Sequence, residues 1–314
     1  CVRECVEELG EGDEECLHNA MEWGSKFLLH AWIEDARVFR DVPSDTIFYV
    51  IRVRGRKNEK RTKRKTRGPI RGTPLDAYAQ LIERGLVANA KLFDVAMLNA
   101  LVRSIADEKP TYYATVIALG DDEKPRLYRH GPLAKYVKLN IDVQLDKISQ
   151  AVKELFKFYD NVPKAMDAYA NGLFQVFSFT RKQVGLRNKS LLLYGEKNTG
   201  KTTIGKVIGE YMLGLPHGLF YRSAGTLFSP ARLGRSLQYG LVVLFDEGKT
   251  LMLNPSAAEA FKNAVNDVKV YETASAGRRD IVNVYPAYAG MIITTQQFYT
   301  DDPGVLDRIY PIQF

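Results

Sequence analysis

Residues 190–207, SLLLYGEKNTGKTTIGKV, decide how the rest of the chain is read. Ser190–Tyr194 is an almost unbroken apolar run of strand length, as expected of a strand buried on both faces of a parallel sheet. Gly195 and Gly200 then bracket a polar loop, and Lys201-Thr202 open a segment that reads as a helix. Glycines let the backbone curl until successive amide N–H groups face one point, and the helix N-terminus adds its positive dipole end there. The expected ligand is a polyphosphate. Gly195, Glu196, Lys197, Asn198, Thr199, Gly200, Lys201, Thr202 and Thr203 would cradle ATP, with Lys201 reaching the β- and γ-phosphates and Thr202 ligating Mg²⁺.

Two more apolar runs, LVVLF (241–245) and MIITT (291–295), repeat the strand signal, and each is followed at once by polar residues. Ligands of open α/β sheets bind at such carboxyl ends. Asp246 suits the metal and Glu247 the activation of water. After the third run, Gln296 is the candidate for contact with the γ-phosphate, with Thr295 or Gln297 as substitutes if the register slips by one residue. Arg308, in VLDRIYPIQF, carries a guanidinium that cannot lose its proton, which suits it to neutralising developing charge. If it points away from its own nucleotide it serves the next subunit, and the assembly closes as a ring. A surface ion pair is the bland alternative for Arg308.

Residues 268–286, VKVYETASAGRRDIVNVYP, read as strand, turn and strand. Arg278 and Arg279 fall at or just after the turn, where two cations can follow a phosphate backbone; Lys269 and Lys262 are weaker candidates.

This ordered set resembles the superfamily 3 helicases, ring-forming AAA+ motors of small DNA viruses and plasmids, with MCM-type helicases sharing parts of the plan. The resemblance covers about residues 145–314. It implies a P-loop AAA+ core, a parallel sheet flanked by helices, that draws helices 145–179 from before the glycine loop. It implies an ATP-hydrolysing motor, a hexameric ring in the family's manner, gripping single-stranded DNA with the 268–286 hairpin and travelling 3′ to 5′. The family usually has Asn where this chain has Gln296, a side chain one methylene longer. Two rivals stay open. One is a remodelling or DNA-packaging ATPase, for which YRSAGTLF (221–228) has the flavour of an aromatic-glycine pore loop. The other is an origin-binding nucleotide switch that does not unwind.

The remainder bounds this reading. At 314 residues, 46% hydrophobic and 26% charged, the chain can fill a real core, and no apolar run is long enough to span a bilayer, so a cytoplasmic location is expected. It opens on Cys1 rather than Met, which reads as a piece of a longer protein. Residues 52–71 hold eleven Lys or Arg against one Glu, while the whole chain carries only +7. Such a segment is a common footprint of nucleic-acid binding, or merely a solvated loop. Cys1, Cys5 and Cys16 with His18 lack the paired spacing of familiar zinc modules, so reduced cysteines are expected.

The domains expected are a smaller α+β unit at 1–140, matching no family, and an ATPase unit at 141–314. Within the first, periodicity suggests a helix over 16–40, helices from Thr73-Pro74 to Arg84 and over about 92–106, and a hairpin in 112–131. Apolar spacing over 145–159 and Pro163 announce two more helices, the second running to about Phe179.

Overall fold

The computed structural model describes residues 29, 31–55, 68–137, 150, 153–159, 161–223, 230–247, 255–272 and 283–314. Cys1, Cys5, Cys16, His18, Arg278 and Arg279, with positions 56–67 of the basic segment, lie outside the described residues. The chain divides into two compact units between Tyr113 and Ala114.

In the first unit, β1 (Ala31–Asp41), β2 (Ile47–Gly55) and β3 (Ile70–Gly72) precede α1 (Pro74–Glu83), α2 (Val95–Arg103) and β4 (Glu108–Thr111). The strands form one sheet in the order β3-β2-β1-β4, parallel only between β1 and β4. Val38, Tyr49, Ile51 and Ile70 from the strands bury with Leu81 of α1 and Leu98 of α2. Both helices start where the caps indicate. Thr73 and Asp76 exchange hydrogen bonds in a capping box with Pro74 behind them, and Asp94 accepts from Met97 N at 2.8 Å.

The helix expected over 16–40 is corrected for residues 31–40, which are strand β1. A register shift between Ile33 and Asp35 adds a residue to the alternation, so Ala31, Ile33, Ala36 and Val38 mimic a helical spacing. Long antiparallel pairing with β2 wins over that local pattern.

The second unit opens with the hairpin of β5 (Thr115–Leu119) and β6 (Pro125–Arg129). Grouped by sequence with the residues before it, this hairpin instead packs here. Helices α3 (Val162–Phe174) and α4 (Ser178–Gln183) follow, joined by a 3₁₀ turn, and α4 holds β5 by side chains. Thr180 Oγ1 donates to Ile117 O at 2.5 Å and Gln183 Oε1 accepts from Leu119 N at 2.8 Å.

Then come β7 (Ser190–Tyr194), α5 (Lys201–Lys206) running into a π-helical turn (Val207–Met212), α6 (His217–Phe220), β8 (Tyr221–Ser223) and α7 (Pro230–Leu237). The rest is β9 (Val242–Asp246), α8 (Pro255–Asn266), β10 (Lys269–Glu272), β11 (Asn283–Pro286), β12 (Gly290–Thr295), α9 (Pro303–Leu306) and β13 (Ile309–Gln313). β10 and β11 pair antiparallel as the stem expected within 268–286. The main sheet has five parallel strands in the order β13-β7-β12-β9-β8.

The near-continuous apolar strands follow from burial on both faces. Leu192, Val243, Phe245, Met291 and Ile293 face α7 and α8, where Leu233, Leu237, Phe261 and Val265 cover them. Leu191, Leu193, Val242, Leu244 and Ile292 face the other way, under Ala165 and Ala168 of α3, Ile204 of α5 and Ile208. Each such side chain contributes about 1.5–3 kcal/mol of burial. Truncating one to Ala costs about 2–5 kcal/mol.

Candidate nucleotide site at the carboxyl ends of the sheet

β12 lies between β7 and β9, so the three strand ends marked in the sequence stand side by side. Thr295 pairs with Tyr194, and Gly195 N donates to Gln296 O at 3.2 Å. The loop after β7 has three residues at positive φ: Gly195 (133°), Asn198 (63°) and Gly200 (86°). Two of them also need the missing side chain. A Cβ on Gly195 would meet Phe314 O at 1.9 Å, and one on Gly200 would meet Tyr159 Cε1 at 2.6 Å.

Lys201, at the first position of α5, is 7% exposed and turns back over the loop. Its ammonium donates to Gly195 O at 3.0 Å, to Thr199 Oγ1 at 2.9 Å and to Glu196 O. Burial holds its pKa below the usual lysine value, against the pull of Asp246 and Glu196.

Asp246, at the end of β9, gathers three hydroxyls. Thr202 Oγ1 donates to it at 3.0 Å, Tyr221 OH at 2.6 Å, and Thr294 Oγ1 donates as well. Burial works to raise the pKa of this carboxyl, but the hydrogen bonds from Thr294, Tyr221 and Thr202 outweigh it, so Asp246 stays below the ordinary aspartate value and ionised. Glu247 follows at φ 61°, a left-handed conformation for a residue with a side chain, and it is exposed. Thr202 and Asp246 thus bring a hydroxyl and a carboxylate, both hard oxygen donors, to one spot, a pairing that fits Mg²⁺. The glycine cradle fits phosphate oxygens.

On β12 it is Thr294, 1% exposed, that faces Asp246. Gln296, just past the end of β12, is exposed. Thr295 is turned to the other side, and its hydroxyl donates to Gln297 O at 3.0 Å.

Tyr221 is the residue that sequence reasoning missed. It opens β8, next to β9, and stacks on His217 with ring centroids 4.6 Å apart. Its phenol is pushed up to about 12, first by burial and then by donation to Asp246 and the charges of Asp246 and Glu247. The sequence tied it to YRSAGTLF; of that segment, 224–228 lie outside the described residues, and Tyr221 itself is bonded to Asp246. Only the strand order reveals the pairing.

Arg308 does not join this group. It precedes β13, and its carbonyl accepts from Ser190 N at 2.9 Å, at the start of β7. The Gly195 loop is a whole strand away, roughly 16 Å at about 3.3 Å per residue. Its guanidinium donates to Gly304 O at 2.7 Å. With the Asn266 amide turned so that its oxygen faces the guanidinium, Asn266 accepts from Nε at 2.9 Å and from NH2 at 2.6 Å.

Near it, Arg187 pairs with Asp307 at 3.2 Å, and the buried Lys182 donates to Ala264 O at 2.6 Å and Ala287 O at 2.9 Å. Burial drives the Lys182 pKa down to about 7, with Asp267 opposing. Lys269 is half-buried at the foot of β10, and Lys262 is held by Glu259 at 2.8 Å and Asp302 at 3.3 Å.

No family model matches the chain, and no curated protein matches it. Among solved structures it is similar to one described as "SCCmec type IV Cch - active helicase". The two are 14% identical, with a TM-score of 0.52 over 91% of this chain and 55% of that one. This chain therefore spans about half the length of that protein. At this identity the likeness is one of fold: a mixed α/β architecture whose five parallel strands are flanked by helices. Among the described residues, no helix is long and apolar enough to cross a membrane.

Proposed function

We propose that this chain is an ATP-hydrolysing motor that separates DNA strands, a ring-forming AAA+ helicase of the superfamily 3 type serving replication of a virus, plasmid or integrated element. The observation that carries the reading is the meeting of Thr202 with Asp246 at 3.0 Å beneath a glycine loop that already encloses Lys201. The fold shared with a protein described as an active helicase supports it.

On this reading the loop amides and Lys201 hold the β- and γ-phosphates, and the lysine exchanges its loop carbonyls for phosphate oxygens. Mg²⁺, held by Thr202 and through Asp246, would supply charge neutralisation at those oxygens. Glu247, exposed beside Asp246, takes the proton of the attacking water, and Gln296 orients that water. Tyr221 and Thr294 fix the Asp246 carboxylate through the oxygens they donate to. Arg308, a strand's length from its own loop, acts on the nucleotide of a neighbouring subunit in a homo-oligomer, a hexamer in our reading. Arg278 and Arg279, with Lys269 at the stem, grip single-stranded DNA.

The test is ATP turnover with and without single-stranded DNA, followed by unwinding of a forked duplex. Strong stimulation by the strand and unwinding are expected. Stimulation by protein alone points to a remodeller, and binding without turnover to a switch; either outcome ends the helicase reading. Replacing Arg278 and Arg279 together by Ala should spare basal hydrolysis and abolish strand separation. Undiminished unwinding by that variant would clear the hairpin.

A further inference from the structure

We propose that the cavity beside the Gly195–Thr203 loop is the subsite for the base of the nucleotide, and that it holds bases by stacking. The chain then accepts nucleoside triphosphates with little regard to which base they carry. This inference rests on the phosphate-loop reading above and adds the class of substrate to it.

The cavity measures about 380 Å³, inside the range of roughly 300–1,000 Å³ usual for small-molecule sites. Asn198, Thr199 and Gly200 form one wall, so it opens directly off the loop. Against the loop stand the rings of Tyr159 and Phe314, which also line the cavity, with centroids 6.3 Å apart and planes at 61°. Phe158, 88% exposed, also lines it. Phe156 packs behind Tyr159, centroids 6.4 Å apart, and fixes that ring in turn. The Tyr159 edge lies where a Gly200 side chain would be, so a base resting on it is next to the phosphate cradle.

The polar groups of this wall have other partners. Asn161 Oδ1 caps α3 by accepting from Lys164 N at 3.1 Å, and Thr199 Oγ1 donates to Glu196 O at 3.1 Å. Tyr159 OH donates to Gly200 O at 3.4 Å. Lys164 and Asn198 are exposed, where water competes for any bond to a base edge. Strong rejection of the wrong ligand needs buried polar groups that go unpaired when it binds. Stacking lacks that penalty, because every base has a π-face.

Calorimetric titration of the full chain with Mg²⁺ complexes of ATP, GTP, CTP, UTP and inorganic tripolyphosphate decides the matter. The four nucleotides should bind within about fivefold of one another, and Tyr159→Ala should weaken all four about tenfold while tripolyphosphate binding holds. Tyr159→Phe, which restores the ring, should recover the lost affinity. A preference above about a hundredfold for one base overturns the proposal. So does an equal loss for tripolyphosphate in Tyr159→Ala, since the tyrosine would then act by shaping the loop. If the nucleotides and tripolyphosphate all fail to bind, the phosphate-loop reading falls and takes this one with it.

Discussion

The two ends of the main sheet use their charges in opposite ways. At the carboxyl end, hydroxyls converge on one carboxylate, and Lys201 is folded onto carbonyls of its own loop. At the amino end, cations gather: Arg308 on Gly304 O and Asn266, Lys182 on two carbonyls, Arg187 on Asp307. On the proposed reading, the first arrangement is completed when a polyanion and a metal ion replace the internal partners. The second already has partners within the chain. Strand polarity sets this difference, because parallel strands bring all their loops of one kind to one end.

The largest effect expected is from Lys201→Ala, which should reduce ATP turnover by about 10³-fold or more. Persistent hydrolysis in that variant would break the contrast at its carboxyl end. Arg308→Ala should cost about 10³-fold as well if it acts across a subunit boundary, as arginine fingers do. Mixing Arg308→Ala with Glu247→Gln protein should then return part of the activity, since a wild-type loop can meet a wild-type arginine. Two inactive pools that stay inactive together would confine both ends to one subunit.

Tyr221→Phe removes one of the three donors to Asp246 and should raise the Mg²⁺ concentration for half-maximal hydrolysis about tenfold. An unmoved Mg²⁺ profile would make the tyrosine a packing residue only.

The smallest effect sharpens the amino end. Lys182 has a folded-state pKa of about 7, below the unfolded lysine value, so between those limits the unfolded chain binds more protons. Its burial therefore costs stability at pH 7 and below, and that cost fades as pH rises. Urea unfolding between pH 7 and 9 should show a contribution rising by at most about 1.4 kcal/mol per pH unit, absent in Lys182→Met. Equal slopes in the two proteins would mean that Lys182 does not titrate there.

The site was legible where chemistry and local order coincide. Strand, glycine loop and helix are contiguous, and Asp246 ends its own apolar run, so both could be read from spacing. The start of α1 is equally local, resting on Thr73 and Pro74. What spacing could not carry was whatever depends on strand order. Tyr221 reaches Asp246 because β8 lies beside β9, and Arg308 stands far from Gly195 because β13 runs parallel to β7. β1 was misread because its bulge between Ile33 and Asp35 replaced period two with a false helical period. The hairpin of β5 and β6 was recognised, but its attachment to α4 rests on side chains more than sixty residues away.

One strand, β7, runs from the arginine's end of the sheet to the glycine loop. Ser190 N bonds to Arg308 O, so the strand that becomes the glycine loop stands with its foot on the arginine. In an assembly where that arginine leans toward the next molecule, β7 is a stiff strut joining consecutive reaction centres. If the proposed ring forms, a pull on the base of β7 would travel to the glycine loop along a strand paired on both sides, and linked rather than independent turnover is the expectation.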